Sequence, residues 1–191
     1  YNIDEDRIYL TGHSMGGRGT WFVGLHYPDL FAALAPFAGS NTWAKPVAEN
    51  ALNLPTFVFH GAADKVVNPE YSREIVSIFK TLGNPVRYKD MPGAGHWWFI
   101  EDGERRIACV DDPELFAFCE QHRRDRYPRE VIYQTESLRF NQAYWTRIDQ
   151  LEEHGRMARL RAAVETANRI VVEVENISEY TLSLSASLVD M

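Results

Sequence analysis

The feature that most constrains this chain is Gly12-His13-Ser14-Met15-Gly16-Gly17. It sits between an apolar run, Ile8-Tyr9-Leu10-Thr11, and a segment, 15–27, that reads as a helix stopped with the help of Pro28. This is the G-x-S-x-G pattern of a serine carried on a sharp strand-to-helix turn. Backbone folded this tightly around one side chain leaves little room for neighbouring Cβ atoms, which explains the glycines. The helix that follows aims its N-terminus, the positive end of its dipole, at the serine. The backbone N–H of Met15 is then placed to donate to an oxyanion.

The alternation of strand and helix continues. Leu30 to Phe37 reads as a helical turn followed by a second buried strand, ending in the turn residues Gly39-Ser40-Asn41. Thr56 to His60 is β-branched and aromatic, a third strand. Asn68-Pro69-Glu70 opens a helix, with Asn68 as N-cap, that runs to about Leu82 and is closed by Gly83-Asn84-Pro85. Val86 to Lys89 makes a fourth strand, and Asp112-Pro113-Glu114 opens a last helix through about His122. This order predicts an α/β fold: a mostly parallel sheet with helices on both faces.

After Arg123–Arg129, a charged stretch read as a solvated linker, the period changes to two. Ala158, Leu160, Ala162 and Val164 alternate with polar or small residues, as do Ile170, Val172 and Val174, and Leu182, Leu184, Ala186 and Leu188. That is antiparallel strand patterning with one wet face, and Trp145 is expected in the core of such a sandwich. The expected division is therefore 1–127, α/β, and 128–191, a β-rich sandwich-like extension. The last strand-like run reaches almost to Met191, so the extension is expected to be incomplete.

Composition narrows the function. Twenty Lys and Arg against 27 Asp and Glu give a net charge of −7, which argues against a phosphate-backbone partner. No apolar run approaches bilayer-spanning length, so no membrane partner is expected. No metal-ligand spacing is visible, and neither a metal nor an organic cofactor is expected. Cys109 and Cys119 read as two free, half-buried thiols around the start and middle of one helix, with a single bridge, which would need an oxidising compartment, as the alternative.

A serine needs a base to activate it, and the base needs an orienting group. Downstream of Ser14, Asp64 follows the third strand by a short glycine turn, His60-Gly61-Ala62-Ala63-Asp64. His96 follows the fourth in Pro92-Gly93-Ala94-Gly95-His96-Trp97-Trp98. Both project from the carboxyl ends of parallel strands, the edge where open α/β sheets place their ligands. Asp90, Asp102 and Asp111 are rival acids but lack that position. His13 is the motif's variable residue, His26 lies at a helix end, His60 is read as bracing the acid loop, and His122 and His154 are read as surface residues. Trp43, Trp97 and Trp98 flank the same edge, either as substrate-pocket walls or as ordinary packing.

The stretch Asp6 to Gly17, Tyr27-Pro28-Asp29-Leu30-Phe31-Ala32-Ala33, the His-Gly-x-x-Asp turn and the Gly-His-Trp-Trp loop together resemble the prolyl oligopeptidase-like branch of the α/β-hydrolases. That branch includes secreted carboxylesterases of the feruloyl-esterase and polyester-depolymerase type. The resemblance covers roughly residues 1–125. It implies Ser14 as nucleophile, His96 as general base and then acid, and Asp64 as the group that holds the imidazole. It further implies hydrolysis of a small-molecule or polymer-linked ester, with a prolyl-type peptidase or a non-catalytic binder as alternatives, and favours a secreted or periplasmic setting. The pattern places further strands before the elbow strand, so the chain is expected to be the C-terminal half of a longer enzyme.

Overall fold

In the computed structural model, residues 2–102, 105–166 and 168–190 are described. Strands β1 (Tyr9–His13), β2 (Ala33–Phe37), β3 (Thr56–Gly61) and β4 (Val86–Met91) form one sheet in that order, every pair parallel. Strands β2 and β3 are buried along their whole length, which is why they read as continuous apolar runs. Their side chains divide between two layers. Leu34 and Val58 point to a core shared with Trp21, Leu25, Ile75, Val76 and Phe79. Ala33, Ala35, Phe37, Phe57 and Phe59 point to the other face, against Leu115 and Phe118. Helices α1 (Met15–His26) and α2 (Glu70–Leu82) cover the first face, and α3 (Pro113–Glu120) covers the second.

The helix ends follow the local sequence. Asn68 Oδ1 accepts from the Glu70 N–H at 3.0 Å, and Gly83 closes α2 in the left-handed conformation at φ +79°. Ser72, Ile75, Val76 and Phe79 supply the buried stripe. Asp112 caps α3 by accepting from the Glu114 N–H at 2.9 Å. This helix ends at Glu120, short of the expected His122, whose Nδ1 instead bonds the Phe118 carbonyl at 2.7 Å. Half-buried and tied to the helix end, His122 is not a surface residue.

Between β4 and α3 lies a hairpin that the pattern did not show, β5 (Phe99–Asp102) and β6 (Arg105–Ala108). The cysteines are free but sit on different elements, Cys109 in a short 3₁₀ turn and Cys119 in α3.

The remaining strands are β7 (Glu130–Thr135), β8 (Gln142–Ala143), β9 (Thr146–Leu151), β10 (Ala158–Thr166), β11 (Arg169–Glu175) and β12 (Ile177–Leu182). They form two antiparallel sheets, β11-β10-β7 and β12-β9-β8, which share a core of Val131, Tyr133, Trp145, Ile148, Leu160, Ile177 and Leu188. Residues 183–190 carry no strand, contrary to the alternation expected there; Met191 lies outside the described residues.

The Arg123–Arg129 stretch is not merely solvated. Arg124 and Arg126 both bond Asp6, and Arg123 pairs with Asp4. Hydrogen bonds from Arg126 and then Arg124 hold the Asp6 carboxyl below its ordinary value. No helix of the described residues is long and apolar enough to cross a membrane.

Candidate active site

Ser14 stands between β1 and α1 with φ +58° and ψ −114°, a conformation that L-residues avoid and that the surroundings must hold. Its N–H donates to the Phe37 carbonyl at 2.9 Å, and its own carbonyl accepts from the Arg18 N–H at 3.0 Å. The close approaches fall on particular glycines. A Cβ on Gly12 would run into the Gly16 backbone, and one on Gly17 would collide with the Phe37 carbonyl. Gly16 faces open space, so its lack of a side chain is not dictated by crowding. Met15 opens α1, which makes its N–H one of the helix-terminal donors with no intrahelical acceptor.

The loops after β3 and β4 are joined directly. Ala62 N–H donates to Met91 O at 2.9 Å and Ala63 N–H to Ala94 O at 2.8 Å. A side chain at Gly61 would collide with the Ala94 and Gly95 carbonyls, so the glycine lets the two loops touch. Gly93, at φ +72°, turns the second loop back.

Asp64 and His96 meet as a result. Asp64 Oδ1 accepts from the Val66 and Val67 N–H groups at 2.8 and 3.0 Å. Its Oδ2 lies 2.7 Å from His96 Nδ1 and 3.2 Å from His60 Nε2. His96 Nε2 is 2.9 Å from Ser14 Oγ. A carboxylate facing Nδ1 places the proton there, which leaves Nε2 as the acceptor for the serine hydroxyl. Burial pushes the Asp64 carboxyl up, but hydrogen bonds from His96, Val67 and Val66 outweigh it and hold the group below its ordinary value.

Two further histidines brace the arrangement. His60 is fully buried. Its Nε2 faces the Val67 carbonyl at 3.0 Å as well as Asp64, so Nε2 carries the hydrogen, and Nδ1 accepts from the Ser72 hydroxyl at 2.6 Å. Burial, acting first, pushes its imidazole below the ordinary histidine value. His13, passed over as the motif's variable residue, donates from Nε2 to the His96 carbonyl at 2.7 Å. No signal in the sequence marks that contact.

The tryptophans separate. Trp97 is 47% exposed and lies edge-on to His13, with ring centroids 4.6 Å apart. Trp43 is half-exposed and stacks under the Arg18 guanidinium at 3.7 Å, one helical turn from Ser14. Trp98 does not line the edge. It is 5% exposed and packs with Phe37 and Cys109 in the core beneath the sheet. Of the rival acids, Asp90 pairs with Arg73 at the surface, Asp111 ends a 3₁₀ turn, and the Asp102 side chain lies outside the described residues.

A parallel sheet with helices on both faces, and a serine on the turn after one strand, define the α/β-hydrolase class, as the sequence led us to expect. Residues 1–120 match the model of the dienelactone hydrolase family, and the chain belongs to that family. An uncharacterized secreted protein of Arthroderma benhamiae is 31% identical over 124 residues, covering 50% of this chain and 13% of that protein. A bifunctional acetylxylan esterase/xylanase of Neocallimastix patriciarum is 40% identical over 68 residues, 36% of this chain and 10% of its own length. Among solved structures, a thermostable esterase aligns with TM-score 0.54 and 34% identity over 65% of this chain and 33% of its own. The chain thus spans a third or less of each of these proteins.

Proposed function

We propose that this chain carries the catalytic triad of a serine esterase, with Ser14 as nucleophile, His96 as general base and then acid, and Asp64 as orienting group. The observation that carries the reading is the unbroken line from Ser14 Oγ to His96 Nε2, 2.9 Å, and from His96 Nδ1 to Asp64 Oδ2, 2.7 Å. In the first step Ser14 Oγ attacks the carbonyl carbon while His96 takes its proton. The Met15 N–H donates to the oxyanion, and His96 returns the proton to the leaving alcohol as the C–O bond breaks. Water, deprotonated by the same imidazole, then releases the acid and restores Ser14. Trp97 flanks the acyl site beside His96.

Ester hydrolysis is supported by the likeness to the thermostable esterase, and carbohydrate-linked esters are the favoured substrates on the likeness to the acetylxylan esterase/xylanase. Residues 1–127 form the catalytic part in this reading, and residues 128–191 a β-sandwich extension. The test, made on the intact enzyme that includes this chain, is labelling with a fluorophosphonate probe, followed by parallel assays of p-nitrophenyl acetate, a feruloyl ester and a prolyl peptide. Labelling at Ser14 with turnover of the esters alone is expected. No labelling, or cleavage of the peptide in preference to the esters, would overturn the reading. Ser14→Ala and His96→Ala should each abolish turnover. Asp64→Asn should keep the circular dichroism of the folded protein and lose about 10⁴ in kcat.

A further inference from the structure

Helix α1 does more than present the serine. Arg18, Phe22 and His26 follow Ser14 at four-residue steps, each lying beside the next in a row that winds slowly round the helix. Beside Phe22 and His26 runs a groove of about 240 Å³ between the α/β layers and the sandwich. Phe22, His26 and Trp43 line one wall, and Glu136, Ser137 and Phe140, from the turn after β7, line the other. The rings form one connected set: Phe22 meets Trp43 edge-on at 5.0 Å and Phe140 at 5.7 Å, and His26 meets Phe140 at 4.4 Å. At 1.5 Å per residue the groove lies roughly 12–18 Å from Ser14 along the helix axis.

We propose that this groove is a binding subsite for a neutral oligosaccharide, holding sugar rings a few units away from the ester that Ser14 attacks. The proposal rests on the esterase reading for its link to catalysis. The chemistry of the walls selects the ligand. Aromatic faces fit the C–H face of a pyranose ring, while its hydroxyl groups need polar partners at the edge. The Glu136 carboxylate and Ser137 hydroxyl offer these at the rim. His26 Nδ1 is taken by the Phe22 carbonyl at 2.7 Å, which leaves Nε2 as an acceptor for a sugar hydroxyl. An acyl chain would use the rings but gain nothing from Glu136 and Ser137, which would stay exposed to water, whereas a hydroxyl-bearing ligand can bond both. The position fits as well, because Trp43 in the groove wall lies against Arg18, one helical turn from Ser14.

The experiment is direct binding to the full chain carrying Ser14→Ala, so that no turnover intervenes. Xylotetraose and cellotetraose are titrated by calorimetry and by saturation-transfer NMR, with 4-phenylbutyrate as the acyl-like comparison. Saturable binding of at least one tetrasaccharide is expected, weakened roughly tenfold by Trp43→Ala and by Phe140→Ala. Exposed Glu136→Gln, which leaves the packing untouched, should weaken it severalfold. No saturable sugar binding, unchanged affinity in all three variants, or binding of 4-phenylbutyrate alone would overturn the proposal. Sugar binding in a protein without esterase activity would sink the catalytic reading and support the groove; esterase activity without sugar binding would do the reverse.

Discussion

Gly16 and Gly17 stand side by side in the elbow, yet a Cβ on Gly17 would strike the Phe37 carbonyl and one on Gly16 would meet nothing. Alanine suits a helix better than glycine by up to about 1 kcal/mol. Gly16→Ala should therefore leave stability unchanged or slightly raised, while Gly17→Ala should cost about 1–3 kcal/mol by forcing the helix off the sheet. Urea titration of both variants checks this, and equal losses would contradict the steric account. The same scale shows what the letters could carry. Ser14, Asp64 and His96 were legible because each follows a strand by a glycine-bearing turn. The contact of His13 with the His96 carbonyl was not, since it depends on how a distant loop folds back. Trp98 misled for a related reason: a tryptophan beside a loop has the same letter whether it faces solvent or core.

Among the elements, the loop after β3 binds its chemistry to pH. His60 is held neutral by burial, so the unfolded chain takes up a proton that the folded one refuses. Its contribution to stability is whole above about pH 6.5 and is lost as pH falls. Asp64, held below its ordinary value, adds a further loss in the same direction from about pH 4 downward. His60→Gln should flatten the upper part of this acid limb, read as urea midpoint against pH. Part of the limb should persist, because burial also pushes His13 and His26 down. An acid limb identical to that of the unaltered protein would show that His60 is not its source. Element reading succeeded where caps and periodicity agreed, as in α2. It failed for the β5–β6 hairpin, whose charged residues hide any alternation. It also failed after Leu182, where leucine and alanine do alternate with Ser183, Ser185 and Ser187. The Ser185 hydroxyl accepts from the Ser187 N–H at 3.2 Å and makes a turn, leaving Leu184 exposed.

For the molecule as a whole, the joint between the α/β layers and the sandwich is polar and paired. Buried Asn50 donates to Leu25 O at 2.8 Å and Gln134 O at 3.0 Å, and accepts from the Gln134 N–H at 2.7 Å. Tyr133 donates its hydroxyl to His26 O at 2.9 Å, and Arg159 pairs with Glu49 at 2.6 Å. Asn50→Ala leaves three backbone groups without partners and should cost about 1–3 kcal/mol. Tyr133→Phe removes one bond and should cost about 1 kcal/mol. Thermal unfolding measures both, and a neutral Asn50→Ala would mean that the joint carries no weight. None of these contacts could be read from sequence, because no motif or turn marks Asn50, Tyr133 or Arg159 as reaching another element.

The carbonyls that Asn50 and Tyr133 satisfy belong to Leu25 and His26, the final turn of the helix whose other end carries Ser14. The sandwich therefore works as a tailstock: it clamps the butt of a shaft whose tip must stay on target. Loosening that grip would let the last turn unwind from the rear, and the disturbance would surface as a displaced Ser14, although every group around its hydroxyl had been left alone.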